Sequence, residues 1–529
     1  MSSRAGTSAS HALSSGRCRV YYLDVPKTTG LKLHRAYTPC DWEHNQFAAD
    51  TRLHDHLANG HPWLVNNPSE ADVVVIAGHG FDRWCVAQTL LRNKLLEAHT
   101  TYTKGEMSSG ALCEANAAVD VEECGVPHGA ACKRAGKLFR SETAKRLLWE
   151  SLHEAADALN TSAPRAIVHT NNECPPAWSN TKRGVSLDTL MLADRVRRPQ
   201  DGVVPFVLSR PVWLLGDAPV PSELLPSTPW ASRKLVLFAG HVPKLYINPT
   251  RYLLWRAWRR ELERVSIYTK DIACALTAHH ICTQPERWEA ERTTFCQKDC
   301  GTTRTCKSSV QAMQRECRFY KKVPWDDELP DVPATNRALP KESYFKAAMG
   351  HRFCVIAPGD YPSTPKITEF VAVGAAGGCL PVVVVPSPVR DGARRQLPYA
   401  STWLDYCEIA FIVPESAVGN STEMRLVLDR LNAVTEEAAE AKRAALRRVR
   451  DAFVARQAPS SQRSDARPNV ADFLLHEACH LAARHRAVRL DGAKGAGKRH
   501  GGGLRLGRCL LAEERSRGGG MGGPVHPKY

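Results

Sequence analysis

Phe353-Cys-Val-Ile-Ala-Pro-Gly-Asp-Tyr-Pro-Ser-Thr-Pro-Lys-Ile-Thr-Glu369, followed closely by Gly378-Cys-Leu-Pro-Val-Val-Val-Val385, decides the fold class. An apolar, β-branched run ends in a Pro-Gly-Asp turn. Thr364 then stands where an N-cap belongs, with Pro365 at the first helical position, and Lys366 to Ala376 carries a helical pattern into a second apolar run. Strand, loop, helix and strand in that order form a parallel unit. The same alternation extends outward. Further strands are predicted at Arg19 to Leu23, Asp72 to Ala77, Ala166 to His169, Val203 to Leu208 and Lys234 to Ala239. Helical patterns fill Glu43 to Leu57, Ser141 to Leu159, Arg251 to Arg264 and the long Ala433 to Arg456. Between Leu215 and Ser232 the chain is proline-rich, the composition of a connector, so two α/β domains joined near residue 225 follow.

The predicted boundaries are a disordered N-terminus at 1–17, a first domain at 18–222, a second at 223–485 with a Cys-rich insertion at 274–317, and a disordered basic Gly/Arg tail at 486–529. A chain of 529 residues with 43% apolar and 24% charged residues can bury large cores, and is neither collagen-like, wholly disordered nor a polytopic membrane protein. Lys and Arg number 71 against 55 Asp and Glu, but eleven of those cations and only three of the acids fall between Arg484 and Tyr529. Half of the net charge of +16 is therefore tail, and no nucleic-acid partner is expected.

Eighteen cysteines are many for a reducing compartment. Cys113, Cys124 and Cys132 cluster, as do Cys274, Cys282, Cys296, Cys300, Cys306 and Cys317, in a polar stretch that needs staples. The spacing Cys296-x3-Cys300-x5-Cys306 lacks the tight pairs of zinc modules, so disulfides are expected. Asn160-Thr-Ser and Asn420-Ser-Thr are glycosylation sequons that agree with a lumenal setting. Residues 1–17 have no apolar core and no run reaches the roughly 18 apolar residues of a membrane span, so neither signal peptide nor anchor is visible.

Two motifs mislead. Gly492-x-x-x-x-Gly497-Lys498 imitates a phosphate loop, but Arg499 stands where a hydroxyl must bind magnesium. His476-Glu477-Ala-Cys-His480 has the spacing of hydrolytic zinc sites, yet Ala483 and Arg486 stand where the extended pattern needs Gly and His. More telling is the helix start at the carboxyl end of a parallel strand, whose N–H groups and positive dipole end suit a diphosphate. Lys366 adds charge there, and Glu369 is placed to accept hydrogen bonds from sugar hydroxyls.

These residues resemble the exostosin-like glycosyltransferases. The resemblance rests on Ala357-Pro358-Gly359-Asp360, Ser363-Thr364, Lys366, Glu369 and Gly378-Cys379-Leu380-Pro381-Val382, with further likeness at Val20 to Pro26, Trp42-Glu43, Pro68 to Asp72, and Leu237-Phe-Ala-Gly240 with Arg251. It spans roughly residues 19–455. The chain departs from the family at Lys366, where the family has Arg, in a stretch about four residues longer before Gly378, and at Val168-His169-Thr-Asn-Asn-Glu173, where the family often has His-Asp. The resemblance implies a GT-B architecture, two Rossmann-like domains facing across a cleft, with the acceptor on the first and the nucleotide-sugar on the second. It implies an inverting enzyme that moves a sugar from a nucleotide-sugar, such as a UDP-sugar, to a glycan or polysaccharide, in the Golgi or endoplasmic reticulum lumen, as a homo-oligomer or a hetero-oligomer with another glycosyltransferase. Donor binding falls to Gly240, Arg251, Gly359, Asp360, Ser363, Thr364, Lys366 and Glu369. Glu43, His79, Asp82 and Glu173 are the candidates for the general base. No Asp-x-Asp occurs in the chain, so neither a metal nor another cofactor is expected beyond the donor as co-substrate. The alternatives are an inactive glycan- or partner-binding relative and a zinc peptidase built on His476, Glu477 and His480.

Overall fold

The computed structural model describes residues 18–24, 49–58, 60–77, 158–159, 161–169, 184–188, 202–203, 205, 211–241, 249–270, 339, 341–359, 364–455, 468–490 and 506–513. They form an α/β protein with two five-stranded sheets. The first is ordered β1-β2-β3-β4-β5, from β1 (Val20–Tyr22), β2 (Val73–Ala77), β3 (Arg165–His169), β4 (Gly184–Asp188) and β5 (Gly202–Val203). The second is ordered β10-β9-β8-β6-β7, from β6 (Lys234–His241), β7 (Val265–Lys270), β8 (His351–Ile356), β9 (Leu380–Val385) and β10 (Phe411–Pro414). Every pairing is parallel. Strands β2, β8 and β9 are buried at every residue; β2 and β9 therefore run apolar without alternation, and in β8 only His351 and Arg352 are polar.

The described helices of eight residues or more are α1 (Ala49–Ala58), α2 (Thr250–Trp258), α3 (Lys341–Gly350), α4 (Lys366–Ala375), α5 (Val389–Gln396), α6 (Ser421–Asn432), α7 (Glu436–Val449) and α8 (Val470–Leu490). The helix expected over 433–456 starts later, because the Thr435 hydroxyl accepts the Ala438 N–H as an N-cap, and it ends in a 3-10 turn at Arg450–Ala452. Helix α6 ends beside the buried Arg352. That guanidinium donates to the carbonyls of Asn432 and Val434 at 3.0 and 3.1 Å while lying 5.1 Å from the Trp230 ring centroid. A cation there satisfies carbonyls left open at the helix end and meets its negative dipole.

At the other end of α6, the sequon residue Asn420 is the N-cap. Its Oδ1 accepts the N–H groups of Thr422 and Glu423 at 2.9 and 3.2 Å. Asn420→Ala is expected to cost about 1 kcal/mol, read as a lower urea midpoint at unchanged m-value.

Three disulfides join described residues: Cys18–Cys479, Cys354–Cys379 and Cys407–Cys509. The cysteine clusters at 113–132 and 274–317 lie outside the described residues, as do residues 1–17, the sequon residue Asn160, the Gly492–Lys498 motif and all of the helix expected at 141–159 except 158–159, which are not helical. Two boundaries differ from expectation. Helix α8 belongs by sequence order to the second half, yet it packs on β2, β3, β4 and α1, and Cys479 bonds Cys18. The segment 506–513 falls within the expected disordered tail but folds onto the second sheet. There Leu506 and Leu511 are buried, Leu511 N–H donates to the Ile412 carbonyl at 2.8 Å and Cys509 bonds Cys407. Glycine and arginine on either side hide this short apolar patch from any periodic pattern. No described helix is long and apolar enough to cross a membrane.

Candidate functional site

The order of the second sheet reverses once. From β6 the chain moves to one side for β7, then crosses to the other for β8, β9 and β10. The crevice outside the carboxyl ends of β6 and β8 is thus a topological switch point, where α/β sheets bind ligands because the connections diverge there. Gly240 stands near the end of β6, and Ala357, Pro358 and Gly359 follow β8. Arg251, in the first turn of α2, bridges them: its Nε and Nη2 donate to the Ala357 carbonyl at 3.4 and 3.3 Å.

Both glycines border that side chain. A Cβ on Gly240 would stand 3.9 Å from Arg251 Cδ, whereas one on Gly359 would come within 2.7 Å of Arg251 Nη2. Glycine at 359 therefore sets how closely the turn approaches the guanidinium. A cation in the first turn of a helix opposes the helix dipole, and a bound anion would offset that cost. Gly359→Ala is expected to push the guanidinium aside and break its bonds to the Ala357 carbonyl, read as displacement of Arg251 in a crystal structure of the variant.

Lys366 and Glu369 were expected to serve a ligand separately; the structure pairs them with each other. Lys366 Nζ lies 2.8 Å from Glu369 Oε2 and 3.8 Å from the Tyr344 ring centroid, and the Tyr344 hydroxyl donates to the same Oε2 at 2.7 Å. Burial first, then the Glu369 charge, pushes the Tyr344 phenol well above its ordinary range, so it stays a donor. The charge that Lys366 brings to the start of α4 is largely cancelled by Glu369. The helix begins at Lys366 with Pro365 at the cap, one residue later than expected, while the Thr364 hydroxyl accepts the Lys366 N–H at 3.4 Å and its carbonyl accepts the Ile367 N–H at 3.1 Å. Two of the N–H groups at the start of α4 are thereby already engaged.

No protein-family model matches the chain, and no curated protein matches it. Asp360 and Ser363 lie outside the described residues, as do all four candidate bases, Glu43, His79, Asp82 and Glu173. On α8, Glu477 is fully buried and accepts a hydrogen bond from the Thr402 hydroxyl, while the intervening Cys479 is in a disulfide and His480 is exposed. Among the described residues the two histidines of that motif gather no third metal ligand. Sequence reasoning missed Tyr344, and also the hydrogen bond from the Thr250 hydroxyl to Glu415, which ties the start of α2 to the end of β10. Neither carries a local signal, since each partner stands far away in the chain.

Proposed function

We propose that the chain is an exostosin-like inverting glycosyltransferase with a GT-B arrangement, taking a nucleotide-sugar, most simply a UDP-sugar, to a glycan or polysaccharide acceptor. One observation carries this reading: Arg251 reaches across the switch point to the Ala357 carbonyl beneath a turn whose Gly359 lies against the guanidinium. A diphosphate in that crevice meets a permanent cation and the start of α2, groups fixed in place before the leaving charge develops. The acceptor oxygen attacks the anomeric carbon, the bond to the diphosphate oxygen breaks with inversion, and one of Glu43, His79, Asp82 or Glu173 takes the acceptor proton. The three disulfides support a setting in which thiols oxidise, consistent with the lumen.

The pairing of Lys366 with Glu369 favours a second reading, a relative that binds glycan or a partner without turnover. Hydrolysis of a panel of UDP-sugars by purified protein, with and without chelator, separates them. Turnover of one or two donors, unchanged by chelator, is expected. Absence of turnover with every donor favours the second reading, and chelator-sensitive cleavage of peptides would replace both with a zinc peptidase.

A further inference from the structure

Where α8 begins, two histidines and a carboxylate converge from opposite ends of the chain. His56 lies in the last turn of α1, His61 in the turn beyond it, and Asp472 in the first turn of α8. His56 Nε2 and His61 Nε2 stand 3.0 and 3.3 Å from the same Asp472 oxygen, Oδ1, and the three donor atoms all lie within 4.8 Å of one another. The side chains are 9%, 8% and 19% exposed, so the trio is largely enclosed, with Asp472 its most exposed member. The second carboxylate oxygen is held by the Asn469 N–H at 2.8 Å, which turns Oδ1 toward the two rings. The Trp63 ring closes the cluster edge-on to His61 at 5.4 Å.

We propose that His56, His61 and Asp472 form a binding site for a divalent cation of the zinc class, which fastens the returning helix α8 to α1 and the first sheet. The geometry fits such an ion. Bonds of about 2.0–2.1 Å set the donor atoms of tetrahedral zinc roughly 3.3 Å apart, and two edges of that tetrahedron are already close to this length. The chemistry fits too. Two imidazoles and one carboxylate suit zinc, cobalt or nickel, whereas magnesium and calcium need a shell of oxygens. Three protein ligands leave the fourth position to water. The donor set carries one negative charge toward a dication, and Asn469 supplies the outer hydrogen bond that orients the carboxylate.

Loading changes one hydrogen bond. The Trp63 N–H donates to His61 Nδ1 at 3.2 Å, which places the ring proton of the metal-free protein on Nε2. An ion bound at Nε2 moves that proton to Nδ1, and the Trp63 amide gives up its acceptor. Local pattern could not have found the site, because Asp472 is 416 residues from His56 and 411 from His61. It is independent of the glycosyltransferase reading, so its test measures metal directly and not through turnover.

The full-length chain, stripped with EDTA and then freed of it, is titrated with CoCl2 and ZnCl2. Wild type should take up one more cobalt ion than His61→Gln or Asp472→Asn, with visible bands of a nitrogen and oxygen shell, and its zinc affinity there should exceed theirs at least about tenfold. Zinc should raise the melting midpoint of wild type and not of these variants, and magnesium should do neither. The double variant His476→Gln/His480→Gln, which removes the other histidine pair on α8, should keep the full uptake. Should the two ligand variants fail to fold, zinc X-ray absorption on wild type decides, with two imidazoles and no sulfur expected. A sulfur shell, equal uptake by wild type and both ligand variants, or no uptake by wild type, leaving a hydrogen-bonded trio only, would overturn the proposal.

Discussion

Replacing Arg251 by alanine is expected to lower UDP-sugar turnover by about 100- to 1000-fold, the loss that follows removal of one preorganised charge stabiliser. The size follows from where the guanidinium sits. Arg251 spans the ends of β6 and β8 at the one reversal in the described sheet order, anchored on the Ala357 carbonyl and bordered by Gly240 and Gly359. Arg251→Lys should recover only part of the rate, because an ammonium keeps the charge but loses the planar fork that grips a phosphate in two places. Lys366→Ala should cost less than tenfold, roughly in line with a cation already paired at a partly exposed site, here with Glu369 at 2.8 Å. Steady-state kinetics on the best donor of the panel, with UDP binding by calorimetry beside it, check all three. Turnover by Arg251→Ala within a few-fold of wild type would remove the crevice from the mechanism.

The second large effect concerns stability. Glu477 is fully buried on α8, with Gly202 and the Thr402 hydroxyl beside it, and its Oε1 has no hydrogen-bond partner among the described residues. Burial pushes its carboxyl from 4.5 up to about 7, against the opposing effects of the Thr402 hydrogen bond and the Arg484 charge. The folded protein therefore holds a proton between those two pH values that the unfolded chain has released. Stability is full below about pH 4.5 and declines as pH rises through about 7, a loss on the order of 3 kcal/mol. Glu477→Gln cannot ionise, so it should exceed wild type by up to about 3 kcal/mol at pH 8 and match it near pH 4.5. Denaturant midpoints at the two pH values measure the gap. A gap that does not change with pH, or a less stable variant at pH 8, would show that burial does not raise this carboxyl in the folded protein. The same burial removes Glu477 from the role that its motif suggests, since a general base for metal-bound water must face an open site.

Legibility followed apolar content. Strands β2 and β9 and the Phe353–Ile356 end of β8 stand out because burial on both faces favours apolar runs with no polar alternation. Strands β4, β7 and β10 were missed. Gly184–Asp188 and Val265–Lys270 mix polar with apolar residues, and Phe411–Pro414 is only four residues long. Helix α4 was placed almost to the residue, because Thr364, Pro365 and the following pattern act within one turn. The helix expected from Ala433 ran too far in both directions, because Ala, Glu and Arg favour helix throughout and only Thr435 marks the true start.

By itself the sequence determined the α/β class, the parallel unit around Gly359, and the turn that brings a helix start to the end of a strand. Each depends on residues within about one turn or one strand of each other. Tertiary structure alone decided that Lys366 pairs with Glu369 beside Tyr344, that Arg251 bridges to the Ala357 carbonyl at the end of β8, and that α8 returns to the first sheet with Cys479 on Cys18 and Asp472 between two histidines. The reason is range: periodicity reports which face of an element is apolar, whereas the partner of a charge, a thiol or an imidazole is chosen by packing between segments hundreds of residues apart.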